Sequence, residues 1–211
     1  MKTKANYIAV VLFILLTCSC QSQPNLKSNK IVGGPCEGCE AVYESGSKSL
    51  NSVDTLPQFE ILKPKIEISG TVYQKDGRTP ANDVIVYIYH TNRKGLYENF
   101  NNESGWGKRH GSLRGWIKTG KTGEYTFYTF RPAAYPNGRE PEHIHFTVKE
   151  PNRNEYFIDD IMFDDDPLLT QSERKQLKKR AGSGIVRPSQ NNGILMVKRD
   201  IILGLNIPNY E

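Results

Sequence analysis

After Leu56 the chain is built of short segments in which apolar and polar residues alternate, the pattern of half-buried β-strands. Turn-forming residues such as Asp76 and Gly77 separate these segments, and Pro132 ends one of them. In residues 83–90 the alternation places apolar side chains at every second position, on one face. The predicted strands are residues 65–73, 83–90, 125–130, 143–149, 156–163 and 193–203.

A single convincing helix interrupts this strand pattern. Thr170 and Glu173 have the spacing of a capping box, which predicts a short helix from Thr170 to about Arg180 that Gly182 ends. Many short strands with one helix are typical of an all-β fold. We therefore predict an antiparallel β-sandwich over residues 56–211.

Length and composition are consistent with one domain that has a substantial core. The chain has 211 residues, of which 37% are hydrophobic and 24% charged, and its mean hydropathy is −0.57. The net charge of +5 is spread along the chain. No basic run is interleaved with aromatic residues, so nothing in the sequence supports nucleic-acid binding.

The first residues resemble an export signal. Lys2 and Lys4 precede an apolar run over residues 7–16, which is too short to span a bilayer. Residues 1–20 end in a sequence that resembles a bacterial lipoprotein processing site, with Cys20, or alternatively Cys18, as the lipidated first residue. We therefore expect an exported lipoprotein, anchored by lipid on the periplasmic side or the cell surface; the alternative is ordinary signal-peptidase cleavage nearby.

Residues 21–55 are predicted to be a tether that includes a Cys-x-x-Cys segment. Residues 21–30 are polar and contain Pro24, a composition typical of a linker. Cys36 and Cys39 could form half of a zinc site, a redox dithiol or a short disulfide. A disulfide is favoured, because an exported protein meets an oxidising compartment and no second cysteine pair follows.

Candidate metal chemistry is concentrated around His143 and His145, two of the four histidines. On a strand they point to the same face, whereas Ile144 and Phe146 point to the other. Two imidazoles on one face can bind one metal ion, although the plain alternative is that they face water. Tyr135 lies just upstream of the pair. The long polar loop 91–114 contains Tyr97, and loops of this length tend to be functional.

The ordered set Gly95-Leu96-Tyr97, the strand ending at Pro132, Tyr135, and His143-Ile-His145 resembles the intradiol ring-cleavage dioxygenases, the catechol and protocatechuate dioxygenase family. The resemblance runs from about Ile66 to about Leu168. It implies a prealbumin-like β-sandwich and a ferric ion held by two tyrosinates and two histidines. The implied metal ligands are Tyr97, Tyr135, His143 and His145. Phenolate oxygen suits a hard ferric ion, in agreement with these residue types.

The activity that this resemblance implies is cleavage of a catechol between its hydroxyls by O2, giving a cis,cis-muconate and serving aromatic catabolism. Tyr135 matches the family's labile tyrosine, which acts as a base when catechol displaces it. No reductant is expected. Such sandwiches often associate, so a homo-oligomer with an unspecified number of subunits is expected.

Two positions depart from the family pattern. The family commonly has an arginine three residues before the first histidine, where this chain has Glu140, and a glutamine where it has Asp160. We expect Arg139 to replace the arginine as a catalytic residue, and Asp160 to be protonated or turned away. His90 and His110 are expected to be structural or exposed. Two alternatives stay open: a lipoprotein that binds iron or a phenolic ligand without turnover, and a zinc hydrolase using His143 and His145.

Overall fold

The structure, a computed structural model, describes residues 31–211. The predicted signal peptide, the lipidated cysteine and the linker 21–30 lie outside these residues. The described chain contains eleven strands, two short α-helices and one 3-10 helix. The strands are β1 (Val53–Thr55), β2 (Lys65–Tyr73), β3 (Ile85–Tyr89), β4 (Arg114–Lys118), β5 (Glu124–Phe130), β6 (His143–Lys149), β7 (Tyr156–Phe163), β8 (Ile185–Val186), β9 (Ser189–Asn191), β10 (Ile194–Lys198) and β11 (Ile201–Ile202). The helices are the 3-10 helix Cys39–Tyr43, α1 (Gly107–His110) and α2 (Gln171–Gln176).

The strands form two sheets that pack face to face, so the predicted all-β sandwich is confirmed. One sheet has the order β1-β5-β2-β10-β9, with β11 also paired to β2, and the other has the order β4-β3-β6-β7-β8. The pairs β2/β5, β3/β4, β3/β6 and β6/β7 are antiparallel.

The sheets are nevertheless mixed, which corrects the expectation of a purely antiparallel sandwich. β1 pairs with β5, β10 and β11 pair with β2, and β8 pairs with β7, all in parallel. Parallel neighbours need a crossover connection rather than a hairpin, and α2 lies in the connection from β7 to β8. Alternation reports which face is buried, but it carries no information about strand direction.

The core lies between the two sheets and is made of inward side chains at alternating positions. Ile66 and Ile68 of β2, and Ile144 and Phe146 of β6, are at most 1% exposed and belong to this cluster. Burial of these apolar surfaces is the main stabilising contribution, at about 25 cal/mol per Å². Because Ile144 and Phe146 point inward, the side chains between and beside them must point away from the core.

A second, smaller apolar cluster covers the outer face of β3 and β4. Tyr87 and Trp116 pack there against Ala41 and Val42 of the 3-10 helix. The Trp116 indole N–H donates to the Ala41 carbonyl at 3.1 Å. The part of the predicted tether from Ile31 onward therefore packs on the sandwich in the structure.

Two local features differ from their predicted bounds. The Thr170 side chain caps α2 by accepting from the Glu173 N–H, but the helix ends at Gln176, well before Arg180. Lys179 adopts a positive φ of 54° beyond that end, and its N–H donates to Asp159. The last predicted strand is divided into β10 and β11, because the chain crosses close over Gly70, where a Cβ atom would collide with the Arg199 carbonyl oxygen. Among residues 31–211, no helix has the length and apolar character required to cross a bilayer.

Candidate metal centre

Two phenol oxygens and two imidazole nitrogens converge at one end of the sandwich. Tyr97 Oη lies 2.6 Å from Tyr135 Oη and 2.7 Å from His145 Nε2. Tyr135 Oη lies 3.2 Å from His143 Nε2 and 3.4 Å from His145 Nε2. The two Nε2 atoms are 3.2 Å apart. The structure thus brings together all four side chains that the sequence proposed as metal ligands.

Strand geometry places the two histidines, as their alternation predicts. His143 and His145 extend from the face of β6 opposite to Ile144 and Phe146, which lie in the core. A register shift in the β6/β7 pairing between Ile144 and Phe146 shows a bulge at this point, and bulges commonly reorient side chains next to sites.

A close backbone approach positions Tyr97. Gly95 has φ of +74°, and a Cβ atom there would collide with the carbonyl oxygen of Ala134. Only glycine lets the loop after β3 come this near to the residue preceding Tyr135. The Asn92 side chain fixes the same turn by accepting from the Lys94 and Leu96 N–H groups at 2.8 and 3.1 Å. The turn therefore holds Tyr97 against Tyr135.

Hydrogen bonds at the far ring nitrogens indicate which tautomer each histidine adopts. His143 Nδ1 lies 2.7 Å from the Pro141 carbonyl oxygen, and His145 Nδ1 lies 3.1 Å from Asp160 Oδ2. Both acceptors require an N–H at Nδ1, so in the neutral rings both Nε2 atoms carry lone pairs. Without a metal ion the phenol O–H groups can donate to these lone pairs, and a cation that replaced the phenol protons would be surrounded by all four donor atoms. The donor set, with two phenols and two imidazoles, fits a ferric ion.

Burial favours the neutral forms of Tyr97, Tyr135 and His143. Burial raises the pKa of Tyr97, and its hydrogen bond to Tyr135 raises it further. Burial also raises the pKa of Tyr135 and lowers the pKa of His143. A phenolate at neutral pH therefore requires a nearby positive charge of the kind that a metal ion supplies.

Asp160 supports His145 from the opposite side of the ring. His143, His145 and Asp160 offer ligand atoms within 4.8 Å of one another, an arrangement that superficially suits a two-histidine, one-carboxylate site. The carboxylate, however, is bonded to Nδ1 of His145, whereas the phenols and His143 meet at Nε2. Asp160 is thus placed to orient His145, not to join the four donors.

The carboxylate of Asp160 is turned away from the four donors, which is one of the two alternatives expected for it, and the other alternative, protonation, is not supported. Burial acts to raise the pKa of this carboxyl, but the charge and hydrogen bond of His145 outweigh it, and the net pKa is lowered. Arg199 contributes in the same direction. Arg199 is 2% exposed, its guanidinium lies 4.6 Å from the centre of the Phe146 ring, and its nitrogens have no hydrogen-bond partner among the described residues.

An aromatic stack backs the site. Tyr89 of β3 stacks on His145 at 4.4 Å and on His110 at 3.8 Å between ring centres. His110 Nδ1 lies 2.8 Å from the Tyr87 hydroxyl, and burial lowers the pKa of His110 to about 4. His110 and His90 are both buried, at 6% and 1% exposure, and neither touches the four donors, in agreement with a structural role. Sequence analysis missed Tyr89, although the alternation of β3 places it on the same face as Tyr87.

Two cavities adjoin His145. The ring-side cavity, of about 220 Å³, is lined by Tyr97, Tyr135, Trp106 and Arg109, together with Glu37, Tyr89, His110 and His145. The arm-side cavity, of about 260 Å³, lies along residues 35–39 and Asp160. Arg139 is exposed and lines neither cavity, and its backbone N–H donates to the Asn137 side chain. The arginine at the phenols is instead Arg109 of α1, a residue without a distinguishing sequence pattern.

The disulfide between Cys36 and Cys39 is confirmed. It closes a loop that presses on the stack behind His145: a Cβ atom at Gly38 would lie 2.7 Å from His110 Nε2. Cys39 also accepts a weak hydrogen bond from the Thr147 hydroxyl at 3.8 Å, on the strand that bears His145. The disulfide loop, residues 35–39, is therefore a wall of the site.

Comparison with known proteins identifies the family of the chain. A family model described as Dioxygenase matches residues 45–181. Catechol 1,2-dioxygenase 1 of Acinetobacter lwoffii is 29% identical over 173 residues, which is 70% of this chain and 54% of that protein. The chain thus spans about half the length of this curated relative.

Solved structures share the fold. The dioxygenase domain of a dioxygenase carbohydrate-binding protein fusion from Streptomyces sp. SirexAA-E matches with a TM-score of 0.51 at 18% identity, covering 75% of this chain and 94% of that one. Catechol 1,2-dioxygenase from Pseudomonas arvilla C-1 matches with a TM-score of 0.56 at 18% identity, covering 82% and 60% of the two chains.

Proposed function

The chain belongs to the intradiol dioxygenase family, and we propose that it cleaves a catechol-type ring between its hydroxyl carbons with O2, at a ferric ion. The single observation that carries this proposal is the convergence of two phenols with two imidazole Nε2 atoms whose Nδ1 atoms are already engaged. The residues that would hold the ion are Tyr97, Tyr135, His143 and His145.

The four donors divide the work between them. Tyr97, His143 and His145 are held by the loop turn at Gly95 and by β6, so they serve as fixed ligands. Tyr135 precedes the exposed residues 136–140 and is therefore free to move aside. Its phenolate oxygen then takes a proton from a catechol hydroxyl as a general base.

The ferric ion, when bound, supplies the Lewis acid that binds both catechol oxygens and withdraws electron density from the ring. His143 is buried and Tyr97 is half-buried, so together they exclude water from one side of the bound ring. Both oxygen atoms of O2 enter the product, a cis,cis-muconate-type dicarboxylic acid, so the reaction balances without a reductant. The reaction therefore needs no nicotinamide or flavin.

A second candidate function is binding of iron or a phenolic ligand without turnover. It is favoured by the position of Arg139, which is exposed and does not line the site, and by carboxylates at positions 140 and 160. Preorganised donors next to the reacting ring stabilise charge as oxygen attacks, and carboxylates cannot replace them. Among the described residues that line the ring-side cavity, Arg109 carries the positive charge available to stabilise the charge that develops as oxygen attacks.

The test is a visible spectrum and metal analysis of purified protein, followed by oxygen uptake with catechols. We expect one ferric ion per chain and a broad tyrosinate-to-iron band. His145→Ala should abolish both metal and colour, and Tyr97→Phe should bleach the band. Tyr43→Phe, at an exposed tyrosine remote from the four donors, is the matched control and should change neither.

Each other outcome selects an alternative. Zinc without colour would favour a hydrolase built on the two histidines. Bound iron with a normal band, but no oxygen consumed with any catechol, would favour the ligand-binding protein. Full colour in both ligand variants would contradict the assignment of the four donors.

The cellular location is a separate proposal, which rests on residues outside the described range. Lys2 and Lys4 before the apolar run, and Cys20 after Ser19, support export and lipidation, with the mature chain held on a membrane by acyl chains. Mass spectrometry of the N-terminal peptide should find a lipidated Cys20 or Cys18. An unmodified terminus downstream of Cys20 would refute this proposal.

A further inference from the structure

The arm-side cavity, beside the disulfide loop, is lined by Asp160, which lies at Nδ1 of His145, whereas the four donor atoms meet at Nε2. It is lined by the disulfide loop, three aromatic rings and two carboxylates, together with His145 and Thr147. The aromatic residues are Tyr89, Phe146 and Phe157, and the acidic ones are Glu37 and Asp160. The disulfide loop lies outside residues 45–181, the range that matches the family model, so the match does not include this wall.

The arm-side and ring-side cavities share Glu37, Tyr89 and His145. A catechol ring bound beside Tyr97 and Tyr135 would therefore direct a substituent on its far side along Glu37 into the arm-side cavity. The arm-side cavity holds about 260 Å³. An arm of three non-hydrogen atoms, each needing roughly the 30 Å³ that a water molecule occupies, fits in it.

Charge and hydrogen-bonding capacity in this cavity favour a cationic arm. Of the two Asp160 oxygens, Oδ2 is bonded to His145, and the described residues give Oδ1 no hydrogen-bond partner. Glu37 adds a second carboxylate at the entrance. No lysine or arginine is among the described residues that line the cavity. An ammonium group would donate to these acceptors and lie near the ring of Phe157, which attracts cations and already holds the Arg180 guanidinium at 4.0 Å.

Three arginines lie near this region, and none of them lines the cavity. Arg180 holds its guanidinium 4.0 Å from the centre of the Phe157 ring and donates to the Gly33 carbonyl oxygen at 3.3 Å. Arg109 pairs with Glu37 from the ring-side cavity, but the side chains are 63% and 72% exposed, and exposed pairs contribute little. Arg199 is buried over the Phe146 ring and does not line the cavity. A carboxylate arm would be repelled by Asp160 and would find no lysine or arginine among the described lining residues, because Arg180 lies on the Phe157 ring and is not itself part of the lining.

We propose that the arm-side cavity is a substrate subsite for an amine, so that the preferred substrate is a catechol with a short aminoalkyl arm. This inference rests on the proposed function. It assigns a role in specificity to Glu37, a residue of the disulfide loop, and to the open oxygen of Asp160.

The experiment compares three catechols whose arms have similar length and different charge. Iron-loaded protein is titrated without oxygen with 4-(2-aminoethyl)catechol, 4-propylcatechol and 3-(3,4-dihydroxyphenyl)propanoate, following the visible band and the heat of binding. We expect the amine to bind about tenfold more tightly than the propyl compound, which corresponds to about 1.4 kcal/mol, and the carboxylate to bind most weakly.

Variants test whether the preference comes from this cavity. Glu37→Gln should reduce the preference for the amine over 4-propylcatechol about threefold. Glu40→Gln is the matched control, because Glu40 is exposed in the same segment and does not line the arm-side cavity. Phe157→Ala, at a residue 37% exposed, should also weaken the amine selectively, and thermal unfolding checks that each variant folds.

The outcomes separate this proposal from the proposed function. Equal affinity for the three catechols, tighter binding of the carboxylate, or an amine preference unaffected by both Glu37→Gln and Phe157→Ala would overturn the subsite. If none of the three catechols shifts the band, the proposed function itself fails, and the subsite with it.

Discussion

Asp160→Asn is the change that most directly tests how this site is built. The carboxylate accepts the Nδ1–H of His145 at 3.1 Å, which fixes the ring so that Nε2 faces the phenols and His143. Asparagine keeps the size and can still accept this hydrogen bond, but it loses the negative charge. The substitution therefore weakens the orientation and basicity of one ligand without removing a ligand.

The size of the effect follows from this geometry. Loss of a carboxylate behind a metal-bound histidine costs about 10- to 100-fold in metal affinity. His145 and Asp160 side chains are 23% and 27% exposed, so solvent screens part of their interaction. Because asparagine retains an acceptor, we expect about tenfold weaker ferric binding for Asp160→Asn, or about 1.4 kcal/mol. Asp160→Ala leaves Nδ1–H without this acceptor and should cost about 100-fold, or about 2.7 kcal/mol.

The assay is a competition titration of ferric ion against a chelator, read by the visible band, together with thermal unfolding of metal-free protein. Asp159→Asn is the matched control. Asp159 is next to Asp160 in the chain, but its carboxylate accepts from the Lys179 N–H and not from His145. It should leave ferric affinity unchanged. If Asp160→Asn and Asp160→Ala bind iron as tightly as the parent, with an unshifted band, the orienting role of Asp160 is refuted.

Two further predictions concern stability. Replacing both Cys36 and Cys39 with serine should remove about 2 kcal/mol, the chain-entropy value for so short a loop, and lower the melting temperature by about 4–8 °C in calorimetry; an unchanged melting temperature would show that packing alone holds the loop. Burial lowers the pKa of His90 to about 4 from 6.5, so the unfolded chain binds its proton more readily. The contribution of neutral His90 to the free energy of unfolding is therefore fully present above pH 6.5. It decreases as the pH falls toward 4, by up to about 3 kcal/mol in total. Urea titrations of metal-free protein across this range should show a flatter pH profile for His90→Gln, and parallel profiles would contradict this.

The alternation of apolar and polar residues was sufficient to predict features that depend on a single strand. The bounds of β2, β6 and β7 are those that alternation predicts, and the common face of His143 and His145 follows from the same period. The position of Tyr97 in a long loop was also visible in the sequence. What alternation could not supply was strand direction, since a buried face looks the same in parallel and antiparallel pairs.

Contacts between residues distant in the chain account for the rest. Arg139 is next to the expected position in sequence, but its loop is exposed, whereas Arg109 reaches the ring-side cavity from α1. Asp160 belongs to β7, and only its pairing with β6 near the bulge brings it to His145. No periodicity in the sequence encodes such encounters, because each depends on how two separate elements pack.

The disulfide loop shows most clearly where this chain can differ in function from its family. The four proposed metal ligands all lie within residues 45–181, the matched range, whereas Pro35, Glu37 and Gly38 lie before it. The loop nevertheless presses on the His110 and Tyr89 stack and lines both cavities beside His145. Reaction type would then be set by the donors and substrate choice by the loop. Replacing the disulfide loop, residues 35–39, with a different loop should therefore change which catechol binds. The bound metal and its visible band should stay unchanged.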